Sequence, residues 1–434
     1  MRRNIVHIGA DELHYEIRNI VEVAREVALL SGQTIAWENI GDPVAKGEPI
    51  PAWIKDIVAQ ASQENSAYQY SPTRGLLETR EFLAARTNAL GGTEITPDDI
   101  IFFNGLGDAV NKVYSLLRRE ARIIGPSPAY PTHSSAEAAH AGSAHITYKL
   151  DPHNGWLPDL DELRNKVKYN ENIAGILIIN PDNPTGAVFP RDVISEMVAI
   201  ARDYDLFILA DEIYINMVFG PAREQHASLA EVIGETPAIS LKGISKEIPW
   251  PGARCGWAEF YNQHGHPIFQ KYCQSLLSAK MLEVCSTTLP QLVIPRIMAH
   301  PDYAEWQSER NAFYRRRSEQ IKEIFARCDG VTVNIPDGAF YLSVVFDKAA
   351  RPDASLEIKN SAIRQYIHDL LPHGSPADKR FVYQLLGAHG ICVVPLSSFV
   401  TKLAGFRSTL LERDDDRFLW IYNTIADAIN RFLS

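Results

Sequence analysis

Cysteine is scarce in this 434-residue chain: the five residues Cys255, Cys273, Cys285, Cys328 and Cys392 are odd in number and never in a CxxC spacing. That scatter excludes a disulfide framework and a zinc knuckle, and leaves reduced cysteines acting as small core residues. Long apolar runs are missing as well. Stretches such as Ile176-Leu177-Ile178-Ile179 fall far short of the roughly 18 residues that a membrane helix needs. Nor is there an excess of positive charge. Lys and Arg number 43 against 53 Asp and Glu, a formal net charge of −10 spread along the chain, which argues against a nucleic-acid or anionic-membrane partner. The chain opens Met1-Arg2-Arg3, but Asp11, Glu12, Glu16, Glu22 and Glu26 interrupt any signal-peptide core, so a cytoplasmic protein is expected. Repeats and low-complexity segments are lacking, and the acidic run Asp414-Asp415-Asp416 reads as a solvated turn. His133, His140 and His145 are irregularly spaced for metal ligation and read as surface or core histidines, so no metal is expected.

What is present is an ordinary globular composition, 46% hydrophobic and 22% charged, long enough for about two to three domains. Apolar residues at three- and four-residue steps predict a helix over 13–30, closed by Gly32. A Gly- and Pro-rich loop over 41–51 precedes a second helix at 53–60. Short apolar runs at 100–103, 121–124, 175–179, 206–210 and 238–241 then alternate with helical segments, the pattern of a mostly parallel sheet covered on both faces. A long helix over 304–326 leads into a smaller α+β tail, with strands at 331–333 and 339–346 and a helix over 418–432.

Three strand-to-loop junctions carry the chemistry. The run 176–179 enters Asn180-Pro181-Asp182-Asn183-Pro184-Thr185-Gly186, a tight turn or a ligand loop at the edge where open parallel sheets bind ligands. The run 206–210 ends in Asp211-Glu212-Ile213-Tyr214, one helical crossover later, so Asn183 and Asp211 fall at the same sheet edge. A carboxylate there is either a helix cap or ion pair, or the partner of a ligand. The third junction is Lys242-Gly243-Ile244-Ser245-Lys246, followed by Pro251-Gly252-Ala253-Arg254-Cys255-Gly256. A partly desolvated lysine has a lowered pKa and can form a Schiff base, whereas an arginine forks onto phosphate or carboxylate.

Together these segments resemble the class I/II aminotransferases of the pyridoxal-phosphate-dependent fold-type I superfamily, from about Gly41 to the C-terminus. The resemblance implies an α/β fold with a mainly parallel, seven-stranded sheet. It divides the chain into an N-terminal segment (1–65) that joins the small domain, a large cofactor-binding domain (66–320) and a small C-terminal domain (321–434). It implies pyridoxal 5'-phosphate as cofactor, amino acid and 2-oxo acid substrates, ping-pong transamination and a homodimer. Lys246 resembles the lysine that holds the cofactor through a Schiff base, with Lys242 as its competitor. Asp211 resembles the carboxylate that pairs with the pyridine nitrogen, and Tyr214 and Asn183 the pair bonded to the phenolic oxygen. The amides of Leu106 and Gly107, in Asn104-Gly105-Leu106-Gly107-Asp108 ahead of a helix expected over 109–118, would cup the phosphate with Arg254 and Ser245. Tyr130 resembles the residue stacked on the ring, with a core role as its alternative, and Tyr70 the tyrosine that reaches the neighbouring subunit's phosphate. Arg407, rather than Arg413, resembles the fork on the substrate α-carboxylate, and Gly41 matches a segment that covers the substrate.

Four departures stand out. Gly243 occupies a position where the family often has serine, and Leu396 one where it usually has glycine. No arginine lies between Arg254 and Arg296, which disfavours a dicarboxylate preference through an arginine lent by the partner. The stretch 348–379 is longer than the family connection requires, and either covers the pocket or decorates the small domain. Other reactions on the same scaffold, such as β-elimination, decarboxylation or racemisation, share these cofactor residues, and a non-catalytic ligand sensor is the alternative outside enzymology.

Overall fold

The computed structural model describes residues 5–13 and 16–434. The opening Met1-Arg2-Arg3 lies outside the described residues, as do residues 14–15 of the expected first helix and the side chains of Glu16, Ile17 and Arg18. In chain order the strands are β1 (Ala36–Trp37), β2 (Ile100–Phe103), β3 (Arg122–Ser127), β4 (Thr147–Asp151), β5 (Leu157–Pro158), β6 (Ile173–Ile179), β7 (Phe207–Asp211), β8 (Ala238–Gly243) and β9 (Gly256–Tyr261). They continue with β10 (Val331–Val333), β11 (Tyr341–Phe346), β12 (Ile391–Cys392), β13 (Val394–Pro395) and β14 (Gly405–Thr409). The large sheet has the order β2-β9-β8-β7-β6-β3-β4-β5, eight strands rather than the expected seven. The eighth is a two-residue antiparallel edge, Leu157–Pro158 on β4.

The strands β8, β7, β6, β3 and β4 run parallel, and side-chain alternation feeds two cores. Phe102, Ile124, Ile176, Ile178 and Ile208 face one layer of helices. Phe103, Ile123, Leu177, Ile179, Leu209 and Leu241 face the other. Both faces are covered, which is why these strands read as continuous apolar runs. Strand β9, absent from the sequence reading, returns antiparallel between β2 and β8. It was hidden because Glu259 breaks its apolar pattern. That carboxylate is buried and accepts from Lys242 Nζ at 2.8 Å, Trp257 Nε1 at 3.0 Å and Thr87 Oγ1 at 2.9 Å. Burial opposes its ionised form, but Lys242 and these bonds outweigh it and hold its pKa below the usual range.

A third core packs the antiparallel sheet β10-β11-β14-β13 under the helices Tyr303–Phe325, Ala377–His389 and Asp415–Leu433. The N-terminal helix Glu16–Ser31 buries Ile20, Val23, Ala24 and Val27 in this core, and β1 pairs in parallel with β12. Within 348–379, Ala354, Leu356, Ile358 and the helix Ser361–Leu370 join the same core, so this stretch decorates the second unit. Asp414 is a helix N-cap rather than part of a solvated turn: its Oδ1 accepts from Arg417 N–H at 2.7 Å, and Asp415 and Asp416 occupy the first turn, where the helix dipole favours them. Among the described residues, no helix is long and apolar enough to cross a membrane.

Lys242→Met strands the carboxylates of Glu259 and Glu212, the latter 3.7 Å from Lys242 Nζ. The variant is expected to lose about 3–5 kcal/mol of unfolding free energy in urea titrations.

Candidate active site

Parallel pairing brings the three junctions together. Ile179 of β6 opposes Asp211 of β7, and Asp211 opposes Leu241 of β8. The loops that follow therefore open at one edge, over a cavity of about 430 Å³ lined by Leu106, Gly107, Tyr130, Asn183, Asp211, Tyr214, Ser245, Lys246 and Arg254. A more open cavity of about 540 Å³ shares Tyr130, Asn183 and Lys246 with it, and adds Gly41, Asn39, Tyr341, Arg407 and, from the N-terminal helix, Glu22 and Arg25.

The inner cavity has two poles of opposite charge preference. At one, the helix Leu106–Ser115 starts at Leu106 rather than at 109, which places the amides of Leu106 and Gly107 in its first turn, where they lack intrahelical acceptors. Gly105 has φ +84°, and a Cβ there would sit 2.5 Å from Arg254 Nη2. The missing side chain thus lets the guanidinium close on the helix start. Arg254 donates to the carbonyls of Pro251 at 3.1 Å and Asn104 at 3.5 Å, and among the described residues it faces no carboxylate at ion-pair range. At the other pole, Asp211 is 4% exposed. It lies three strand positions from β2, roughly 14 Å at about 4.8 Å per spacing. Its Oδ2 is 3.0 Å from His133 Nε2, and His133 Nδ1 is 3.2 Å from Tyr114 OH. Amides and Arg254 suit a phosphate, and a buried carboxylate suits a protonated ring nitrogen. The residues present fit pyridoxal phosphate.

Lys246 stands where the two cavities meet. Its ammonium donates to the carbonyl of Gly41. Burial brings its pKa down to about 8, aided by Arg407 and Arg254 and opposed by Asp42 and Asp211, so a useful fraction is the neutral amine at mildly alkaline pH. Lys242 differs. It lies against Glu259 and Glu212, which overcome burial and raise its pKa, and it lines neither cavity.

In the outer cavity, Arg407 is 2% exposed and stacks over Tyr341 with 4.6 Å to the ring centroid. It donates to Asn39 O at 2.5 Å and Asn183 Oδ1 at 3.3 Å; its Nε and both side-chain amide atoms of Asn39 are buried without a partner among the described residues. Unsatisfied buried donors are costly, and a carboxylate there would satisfy them. Gly41 is demanded by contact, since a Cβ would lie 2.1 Å from Tyr341 OH, which also accepts from Tyr214 OH at 3.1 Å. Arg413 stacks on Phe313 and lines neither cavity.

Four residues of this geometry were not singled out for the site by the sequence. His133, read as a surface or core histidine, is fully buried against Asp211. Its signal was its position, three residues after Tyr130 on the helix Pro131–Ala141. Tyr341 had been placed only in a strand, and Asn39 and Arg25 carried no local pattern. Tyr70 is 83% exposed and lines neither cavity. Among the described residues, no group of three or more His, Cys, Asp or Glu is placed to hold a metal ion.

The family model for aminotransferase class I and II matches residues 39–415. The chain belongs to that family. It is 55% identical, over the full length of both chains, to an uncharacterized aminotransferase of Methanocaldococcus jannaschii. It is 29% identical to the glutamate-pyruvate aminotransferase AlaA of Escherichia coli strain K12, covering 76% of this chain and 79% of that one. The fold superposes on an alanine aminotransferase from Pyrococcus furiosus with a TM-score of 0.83 at 24% identity, covering 100% and 99% of the two chains. It matches the tyrosine aminotransferase from Leishmania infantum with a TM-score of 0.84 at 18% identity, over all of both chains. The protein is a pyridoxal-phosphate-dependent aminotransferase acting on amino and oxo acids, in a family whose members usually form dimers.

One buried carboxyl beside the site has a measurable signature. Asp182 is fully buried, with Oδ2 held by Thr185 and Oδ1 without a partner. Burial, reinforced by Asp211 and opposed by the Thr185 bonds, lifts its pKa to about 7. The folded state therefore holds a proton that the unfolded state releases near pH 4, and Asp182 costs stability increasingly as pH rises from about 4 to about 7. Asp182→Asn escapes this cost. Its stability advantage over the parent, in denaturant titrations of the cofactor-free proteins, is expected to grow by on the order of 2 kcal/mol between pH 5 and pH 8.

Proposed function

We propose that Lys246 binds the cofactor and moves the substrate proton, and that the enzyme exchanges the amino group between glutamate and a small 2-oxo acid such as pyruvate. The observation that carries this reading is the single lysine amine at the junction of the two cavities, with a phosphate-type pole behind it and a carboxylate-type fork in front. Pyridoxal phosphate, when bound, supplies the electron sink that lets the α-proton leave. Leu106, Gly107, Ser245 and Arg254 hold its phosphate, Asp211 keeps its ring nitrogen protonated, and Tyr214 and Asn183 hydrogen-bond its phenolic oxygen. Tyr130 stacks on its ring, while His133 orients Asp211. Arg407, completed by Asn183, forks the substrate α-carboxylate. The Lys246 amine would take the proton from the substrate's α-carbon and hold it for the second half of the transfer. Gly41 lets the loop close over the substrate.

The donor follows from the outer wall. Among the described residues Arg25 pairs only with Glu22, at 2.7 Å and with both side chains largely exposed, a bond weak enough to yield. A distal carboxylate such as that of glutamate would find this guanidinium within its own chain, without the partner's arginine that the sequence lacks. The glutamate-pyruvate relative agrees with this assignment. The finer reading of the assembly is a cytoplasmic homodimer in which Tyr70 reaches the neighbouring phosphate. In support, Tyr68, Tyr70, Met281, Leu282 and Val284 are exposed, on segments tied by Thr73 Oγ1 to Val284 O at 2.9 Å and Thr288 Oγ1 to Gln69 O at 2.8 Å.

Lys246→Ala is expected to abolish turnover and the lysine-dependent visible absorption of the cofactor-loaded protein; an active variant overturns the assignment. Arg25→Ala is expected to raise KM for glutamate about ten-fold, the loss of one charge-assisted contact, with KM for alanine unchanged in steady-state assays.

A further inference from the structure

The loop that carries Gly41 is fastened at both ends to groups of the active site. At its start, buried Glu38 accepts from Lys46 Nζ at 2.7 Å and from Thr409 Oγ1 at 3.1 Å, two residues along β14 from Arg407. Arg407 donates to the Asn39 carbonyl and Lys246 to that of Gly41. Asp42 Oδ1 accepts from the amides of Val44 and Ala45 at 3.1 Å, and the Glu48 amide donates to Pro43 O at 2.9 Å, so 42–48 turns as one closed unit. At its far end Glu48, 4% exposed, meets Arg310 and Tyr314 of the helix Tyr303–Phe325. The Tyr314 hydroxyl donates to Glu48 Oε2 at 2.7 Å and Arg310 Nε donates to Oε1.

The rest of the Arg310 guanidinium turns to the lysine. Nη1 donates to Glu247 O at 2.7 Å and Nη2 to Lys246 O at 3.1 Å. These carbonyls end the single helical turn Ile244–Glu247, where no helical N–H donors remain for them. Arg310 is 4% exposed, so each contact replaces water. A planar fork can serve one carboxylate and two carbonyls at once. A lysine ammonium, a point charge on a flexible stem, can keep the carboxylate but not this spread of acceptors.

We propose that Arg310 is a positioning residue that fixes the main chain of Lys246 relative to the substrate-covering loop through Glu48. The inference rests on Lys246 being the reactive lysine. Its consequence is selective. Arg407 still holds the substrate carboxylate when the clamp loosens, so binding survives, whereas proton transfer requires the Lys246 amine to be placed to a fraction of an ångström.

The test is Arg310→Lys in the full-length, cofactor-loaded enzyme. The ion pair with Glu48 is retained, so the melting temperature is expected to stay close to the parent and KM within about three-fold, while kcat falls roughly ten-fold or more. A second readout needs no turnover: in the cofactor-free protein, the pH midpoint for chemical labelling of the Lys246 amine is expected to rise from about 8 as the amine becomes better solvated. Parent kcat and an unchanged labelling midpoint in a stable Arg310→Lys overturn the proposal. If that variant does not fold, the pair Arg310→Met with Glu48→Met, which buries no charge without its partner, takes its place, with the same kcat loss expected and parent kcat overturning. Lys246→Ala separates the two readings. Activity in Lys246→Ala removes the lysine assignment, whereas an inactive Lys246→Ala beside a fully active Arg310→Lys removes only the role of Arg310.

Discussion

Everything at the active site depends on the parallel register of β6, β7 and β8. Because Ile179, Asp211 and Leu241 are in register across three neighbouring strands, each strand delivers its following loop to the same edge. A one-residue slip would turn Asp211 toward the opposite face and exchange the two layers of core side chains. The register is thus held by the many apolar contacts of both cores, and the polar site inherits its geometry from them. Function here is a by-product of where buried strands stop.

The same sheet handles its buried charges in two ways. Lys242 is locked by Glu259 and Glu212, so its ammonium is fully committed to holding β8 against β9. Lys246, four residues on, leaves the strand for a single helical turn and meets a backbone carbonyl and neighbouring arginines rather than a carboxylate at contact distance. Two lysines of nearly the same sequence setting therefore differ in pKa for a physical reason: one is held by anions at contact distance, the other is desolvated, with Asp42 and Asp211 too weak to offset burial. That contrast makes one a structural tie and, on the proposed assignment, the other the reactive amine.

Much of this was legible beforehand because the parallel strands are apolar on both sides and the junction residues are chemically distinctive. Asn183, Asp211, Tyr214, Lys246 and Arg254 stand next to readable strand ends, and the structure brings all five to one cavity. Reading failed where polarity and structure part company. Strand β9 carries a buried glutamate, and His133 resembles any helix histidine until its distance to Asp211 is known. Arg310, Glu48 and Tyr341 lie far along the chain from the residues they touch, and single-sequence periodicity carries no information about such pairings.

The N-terminal helix Glu16–Ser31 supplies Val21, Glu22 and Arg25 to the outer cavity, apart from the strand ends of the large sheet. Its apolar stripe anchors it in the third core, while these three residues line the outer cavity. On the proposed reading, the wall that meets the substrate side chain is built on a segment separate from the strand ends around the cofactor cavity. Substitutions at 21, 22 and 25 can retune which amino acids enter without disturbing the cofactor cradle, so selectivity and chemistry can drift independently as such a chain diversifies.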